Sequence, residues 1–125
     1  MIVDTNALSA FAEGQPAVRD VIASHRGPFL PVIVVGEYRF GLAQARDRRR
    51  PMAWLQSLLV QWTVLEITGD TAVAYGEIRH ALKRKATPIP SNDAWIASLA
   101  RQHSLPILSS DPHFDLVPGI ERLTW

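Results

Sequence analysis

The chain has 125 residues, 47% of them hydrophobic, and a formal net charge of +1. A chain of this size and composition buries roughly two-thirds of the surface that its unfolded state exposes, which excludes a disordered tail and indicates one globular domain over residues 1–125. No cysteine is present, so disulfides and thiolate metal sites are excluded, and the near-neutral charge leaves any polyanionic partner to local clusters rather than to the field of the whole molecule.

The four histidines, His25, His80, His103 and His113, lack the paired spacing of a zinc site, so any metal is expected to be held by oxygen. There is no charged segment ahead of an apolar core at the N-terminus, and no apolar run approaches the roughly 20 residues of a membrane helix. The expectation is a soluble, unprocessed, cytoplasmic protein with no membrane contact.

The chain opens on Met1-Ile2-Val3, an apolar β-branched run that reads as a buried parallel strand, and stops at Asp4-Thr5-Asn6. A short helix follows. Glu13-Gly14-Gln15-Pro16 breaks it, with Pro16 suited to the first turn of a second helix carrying Val18, Val21, Ile22 and His25, and with Gly27 fitting as its C′ residue. Pro28-Phe29-Leu30-Pro31 is a short buried strand or loop. Val32 to Ala45 is expected to be a largely buried helix, because Val34, Tyr38 and Leu42 recur every four residues; Ile33, Glu37 and Gly41 then share one face.

A basic run, Arg46-Asp47-Arg48-Arg49-Arg50, separates that helix from another beginning near Pro51 with the stripe Leu55, Leu58, Leu59 and Trp62. Thr63 to Ile67 reads as a strand, and Gly69-Asp70 as the cap of a long helix with Ala74, Ile78, Ala81 and Leu82 inward. The cations that end it, Arg79 to Lys85, complement the helix dipole. Pro88-Ile89-Pro90-Ser91-Asn92-Asp93 starts a small-residue helix with Asp93 in its first turn. A second buried strand, Leu105 to Leu108, runs through Ser109-Ser110 into the turn Asp111-Pro112, and Ile120 to Trp125 reads as an edge strand. Alternating strands and helices with no repeat or linker predict a single-domain α/β fold, a sandwich around a mainly parallel sheet.

Four carboxylates stand out against this frame. Asp4 and Asp111 follow two buried strands, at the carboxyl edge where open α/β sheets bind ligands. Each also has a local explanation, Asp4 as an Asx turn or helix cap and Asp111 as a turn starter. Asp93 suits a helix N-terminus on dipole grounds alone. Glu37 interrupts an apolar helix face, where an unpartnered carboxylate costs several kcal/mol. If the four converge, repulsion raises their pKa values unless a cation compensates, and an all-oxygen acidic site suits Mg²⁺ or Mn²⁺. Such sites carry out phosphoryl chemistry.

At these residues the sequence resembles the PIN-domain ribonucleases, and among them the VapC-like toxins of toxin–antitoxin pairs. The matching segments are Ile2 to Asn6, Val32 to Gly41, Ile89 to Ala97 and Leu108 to Phe114, in the family's order and across nearly the whole chain. The resemblance implies a PIN-like α/β/α sandwich and an endoribonuclease acting as a toxin, with Asp4, Glu37, Asp93 and Asp111 as the acidic quartet around Mg²⁺ or Mn²⁺. It implies supporting hydrogen bonds from Thr5, Asn6 and Ser109, an RNA substrate, a cognate antitoxin and a homodimer. Two departures are that Ser109 stands where threonine is frequent and Val34 where a hydroxyl residue often precedes the glutamate.

Asp115 is a further candidate, either for a second metal or as the residue that closes the turn after His113-Phe114. His113 is either a phosphate contact or an exposed turn residue, and Arg46, Arg48, Arg49 and Arg50 either hold an RNA backbone or form a solvated loop. Trp54, Trp62, Trp95 and Trp125 sit on or beside apolar stripes and read as core or interface. Phe11, Val18, Tyr38, Phe40 and Leu42 are candidates for a groove that takes a partner helix, Val18 and Leu42 equally for the core. Two rival readings remain. One is a haloacid-dehalogenase-like phosphatase, whose chemistry needs a second aspartate where Asn6 stands. The other is a non-catalytic PIN-like interaction module whose carboxylates are only caps.

Overall fold

The computed structural model describes residues 1–125. Five short strands, β1 (Ile2–Val3), β2 (Phe29–Pro31), β3 (Thr63–Leu65), β4 (Ile107–Leu108) and β5 (Arg122–Leu123), form one sheet in the order β3-β2-β1-β4-β5, with every pair parallel. Six helices connect them: α1 (Thr5–Ala12), α2 (Pro16–Ala23), α3 (Val32–Ala43), α4 (Arg49–Gln61), α5 (Gly69–Arg84) and α6 (Ser91–His103). Successive strand residues point to opposite faces, and Ile2, Val3, Ile107 and Leu108 are all 0% exposed, so helices cover the central strands on both sides. The result is the α/β sandwich expected from the alternation of elements.

The strand order positions the site. From β1 the chain steps outward to β2 and β3, then returns to lay β4 on the other side of β1, with Ile2 opposite Ile107 and Val3 opposite Leu108. The connections leaving the carboxyl ends of β1 and β4 therefore part in opposite directions, which opens a crevice at that edge. Asp4 and Ser109, the residues directly after the two strands, stand at its base.

Several boundaries differ from those predicted. α2 ends at Ala23 with Ser24 as its C-cap, so His25 lies beyond the helix and Gly27, at φ +57°, turns the loop rather than capping α2. Thr68, not Gly69-Asp70, caps α5: its hydroxyl and the Thr71 side chain form a reciprocal capping box. α3 stops at Ala43, and only Val34 along it is buried, while Val32 is 40% and Phe40 71% exposed. The expectation of a largely buried α3 fails because β-branched composition reports strand-like propensity as readily as burial. α5 and α6 pack against each other, and α1 against α2 and α3. No helix is long and apolar enough to cross a membrane.

Candidate active site

Each acidic residue reaches the crevice by a different local route. Asp4 is the N-cap of α1, and its Oδ1 accepts the Thr5 amide at 2.7 Å, so the capping explanation holds alongside the functional one. Its second oxygen accepts the Ser109 hydroxyl at 2.7 Å and the Asn6 side-chain amide at 2.8 Å. Asn6 also donates to Ser109 Oγ at 3.0 Å, and its carbonyl oxygen accepts the Ser110 amide at 3.1 Å. Asn6 thus ties the end of β1 to the end of β4 and serves as a donor to Asp4, which leaves no acid where the phosphatase reading needs one.

Glu37 lies one turn into α3 and is half-buried, held by the Thr5 hydroxyl on Oε2 and by the Asn92 side chain on Oε1 at 2.7 Å. Asp93, in the first turn of α6, bonds His113 Nδ1 at 3.0 Å. Asp111 precedes a 3₁₀ turn, Pro112–Leu116, and accepts the His113 amide at 2.9 Å, with His113 Nδ1 at 3.1 Å from the same oxygen.

All four carboxylates, with Thr5, Asn6, Ser9, Phe40 and Asn92, line one open cleft of about 590 Å³. Asp115 does not join them. Its two oxygens take Arg122 Nε at 2.8 Å and Nη2 at 2.6 Å, a bidentate pair that closes the turn onto β5. Asn92 is a constituent that sequence reasoning missed, and His113 takes a place that neither of its two expected roles described. His113 bridges Asp93 and Asp111 instead of pointing into solvent, and Asn92 reads in sequence as part of a helix start. Their adjacency to Asp111 and Asp93 was the available signal, but contact across 20 and 55 residues is a property of the fold.

The negative charge of the cleft is largely uncompensated by the protein. No lysine or arginine pairs with any of the four carboxylates; the one cationic group in contact is the His113 imidazole when protonated. Burial pushes the Asp4 carboxyl above its usual value, against the lowering effect of the Ser109 and Thr5 hydrogen bonds, and the charges of Asp93 and Glu37 add to the rise. Asp93 is raised for the same first reason, with His113 opposing and Asp111 and Glu37 reinforcing. The donor set fits a divalent cation: ligand atoms of Asp93, Asp111 and His113 all lie within 4.8 Å of one another, and Asp4 and Glu37 supply further carboxylate oxygens to the same cleft.

Against known proteins, the model of the PIN domain family matches residues 1–120. The chain is 28% identical to Ribonuclease VapC4 of Mycobacterium tuberculosis over 95 residues, which covers 74% of this chain and 73% of that protein. The structure of DNA-bound VapBC from Salmonella typhimurium superposes with a TM-score of 0.89 at 24% identity, covering 99% of this chain and 96% of that one. VapBC-5 of Mycobacterium tuberculosis, described as a member of the VapBC family of toxin–antitoxin systems, gives 0.69 at 24% identity and covers 78% of this chain and 82% of that one. The chain belongs to the PIN domain family.

The raised carboxyls make stability depend on pH. With folded-state pKa values above the unfolded value of 3.8, the native state holds more protons than the unfolded one between those values, so stability falls as pH rises through that window. In excess EDTA, melting curves should show a higher Tm near the ordinary carboxylate value than at neutral pH, once the contribution of other groups is measured in Asp4→Asn. Mg²⁺ or Mn²⁺ should recover the difference at neutral pH. A metal-free Tm that rises steadily to neutrality in native and variant alike would contradict the assigned shifts.

Proposed function

We propose that the chain is a single-domain, Mg²⁺- or Mn²⁺-dependent endoribonuclease that acts as the toxin of a toxin–antitoxin pair. The observation that carries the reading is the convergence of Asp4, Glu37, Asp93 and Asp111 on one cleft with no lysine or arginine to neutralise them. Membership of the PIN family, the ribonuclease name of the VapC4 relative and the toxin–antitoxin description of VapBC-5 support it.

In this mechanism Asp4, Glu37, Asp93 and Asp111 would hold the metal, with His113 as an additional ligand or as the group that orients two of them. When bound, such an ion supplies neutralisation of phosphate charge and activation of water at neutral pH. The chain's own residues supply geometry. Ser109 and Asn6 fix the Asp4 carboxylate through neutral donors that orient it without cancelling its charge, and Thr5 and Asn92 do the same for Glu37. Water adds to the scissile phosphorus, one P–O ester bond breaks, and a proton given up by the water ends, in net, on the departing oxygen. No side chain in the cleft is a thiol, and no covalent enzyme intermediate is required.

Asp4→Asn should lower kcat by at least about 100-fold, the scale of losing one group that stabilises transition-state charge, with circular dichroism and Tm showing a folded protein. Excess EDTA should abolish cleavage of single-stranded RNA by the native chain. Full activity in either experiment rules the mechanism out and favours the non-catalytic interaction module.

The chain is also proposed to form a homodimer. Val32, Phe40, Val60 and Val73 are exposed on three helices, and covering such residues in a specific interface takes at least about 1,000 Å² of buried surface. Sedimentation velocity should give a dimer at micromolar concentration; a monomer at high micromolar concentration overturns this.

The antitoxin is assigned to an open cleft of about 420 Å³ lined by Tyr38, Leu42, Pro51 and Trp54. Ser9 lines both this cleft and the acidic one, so a segment lying in the first reaches the second. Of the expected groove residues, Val18 is core, and Phe11 packs against Trp54 and Trp62, with ring centroids at 6.1 and 5.2 Å. An arginine fork from the antitoxin matches two carboxylates at once. Inhibition should then weaken as Mg²⁺ is raised, and inhibition independent of both metal and the peptide's arginines excludes this mode.

A further inference from the structure

Both lysines of the chain, Lys83 and Lys85, lie with Arg79 and Arg84 in the last turns of α5 or at its C-cap. The helix dipole accounts for cations at this end, but not for what two of them, Arg79 and Lys83, border. An open cleft of about 640 Å³, the largest in the molecule, has Arg79, His80 and Lys83 on one wall and Pro88 and Ile89 on the other. The backbone makes that second wall. Ala86 adopts a left-handed conformation at φ 55°, its amide donates to Lys83 O at 3.1 Å, and the Thr87 amide donates to Leu82 O at 3.0 Å. This pair of bonds turns the chain back along the helix it has just left.

None of the four cations is in an ion pair. Arg79 is nevertheless held in place. Its Nη1 donates to Ser91 Oγ at 3.1 Å and to the Tyr75 hydroxyl at 3.3 Å, and its guanidinium lies 5.6 Å from the centroid of the Tyr75 ring, which is itself stacked on Trp95 at 3.8 Å. Neutral partners of this kind orient a cation and leave its charge available to an anion. One segment links the cleft to the acidic site: Arg79 contacts Ser91, and the next residue, Asn92, contacts Glu37. Ile89 is three residues from Asn92, a span of at most about 11 Å, so the cleft lies within reach of the phosphates that flank a bond held at the carboxylates.

We propose that this cleft binds the phosphodiester backbone of the RNA strand beside the scissile bond, with Arg79 and Lys83 as its phosphate contacts. The proposal rests on the endoribonuclease reading and extends it to the path of the substrate. Phosphate contacts position a strand without reading its sequence, so the cleft contributes affinity and register rather than base preference.

The test pairs binding with turnover on a fluorescein-labelled single-stranded RNA of mixed sequence. Binding is followed by anisotropy in the Asp4→Asn background, and cleavage in the otherwise native chain. The Lys83 side chain makes no hydrogen bond or ion pair in the fold, so Lys83→Gln removes charge without disturbing a polar contact. It should weaken binding about fivefold at 0.1 M salt and flatten the slope of log Kd against log salt by about 0.7, the single-strand value for one phosphate contact; adding Arg79→Gln should double the change in slope. KM should rise with kcat unchanged, and Lys83→Arg should restore both. Unchanged Kd and slope in Lys83→Gln overturn the proposal, and so does a loss confined to kcat in the double variant, which would make Arg79 a support for the Ser91–Asn92 segment. Loss of binding to a polyglutamate peptide with RNA binding intact also overturns it, in favour of a protein partner. If the native chain cleaves no RNA with Mg²⁺ or Mn²⁺, the endoribonuclease reading fails, and the anisotropy arm still decides whether the cleft holds phosphates.

Discussion

The hydrogen bond from the Ser109 hydroxyl to Asp4 joins residues 105 apart in sequence and marks the constraint on which the site depends, the parallel pairing of β1 with β4. Parallel strands deliver their carboxyl ends to one edge, and the return of the chain to the far side of β1 makes that edge the place where connections diverge. With Asp4 directly after one strand and Ser109 directly after the other, the crevice acquires a buried carboxylate and a donor to orient it. Everything else in the site is assembled onto this pair. Asn6 spans the two strand ends, α3 brings Glu37 to Thr5, and α6 brings Asp93 to His113.

The same arrangement concentrates charge that the fold does not neutralise. Burial and repulsion raise Asp4 and Asp93, while neutral hydroxyls and amides hold the carboxylates in place. A structural ion-pair network would look different, as Asp115 shows a short distance away: there an arginine fork satisfies both oxygens, and its hydrogen bonds hold the carboxyl below its usual value. Asp111 and Asp115, four residues apart, thus have different environments, Asp111 lining the acidic cleft and Asp115 committed to holding β5. The contrast separates site from scaffold on physical grounds.

Charge of the opposite sign is kept apart from this centre. The arginines at 46–50 are exposed in the α3–α4 connection and the start of α4, and Arg79 and Lys83 of α5 border their own cleft; neither group is paired with the four carboxylates. The two signs of charge therefore line different clefts, Arg79 and Lys83 one and the four carboxylates another. A net charge of +1 conceals this separation, because averaging over the chain removes the geometry that makes it useful.

The elements that follow from local physics were legible in the sequence. Short apolar β-branched runs, period-four patterning, proline at α2's first turn and the abrupt end of an apolar run at Asp4 depend on near neighbours, and they located the strands, the helices and the parallel α/β class. Asp4, Asp93 and Asp111 were legible as carboxylates at element ends, and Glu37 as one that interrupts an apolar helix face. Burial was not, because α3 has a core-like composition and lies at the surface, where only the packing of other elements could place it. Nor were the partners of the site. Whether Asp115 faced a metal or Arg122, whether His113 faced solvent or two aspartates, and that Asn92 would hold Glu37 were decided by contacts between segments distant in the chain. Those contacts exist only after the sheet has fixed the order of its strands, so tertiary structure alone settled them.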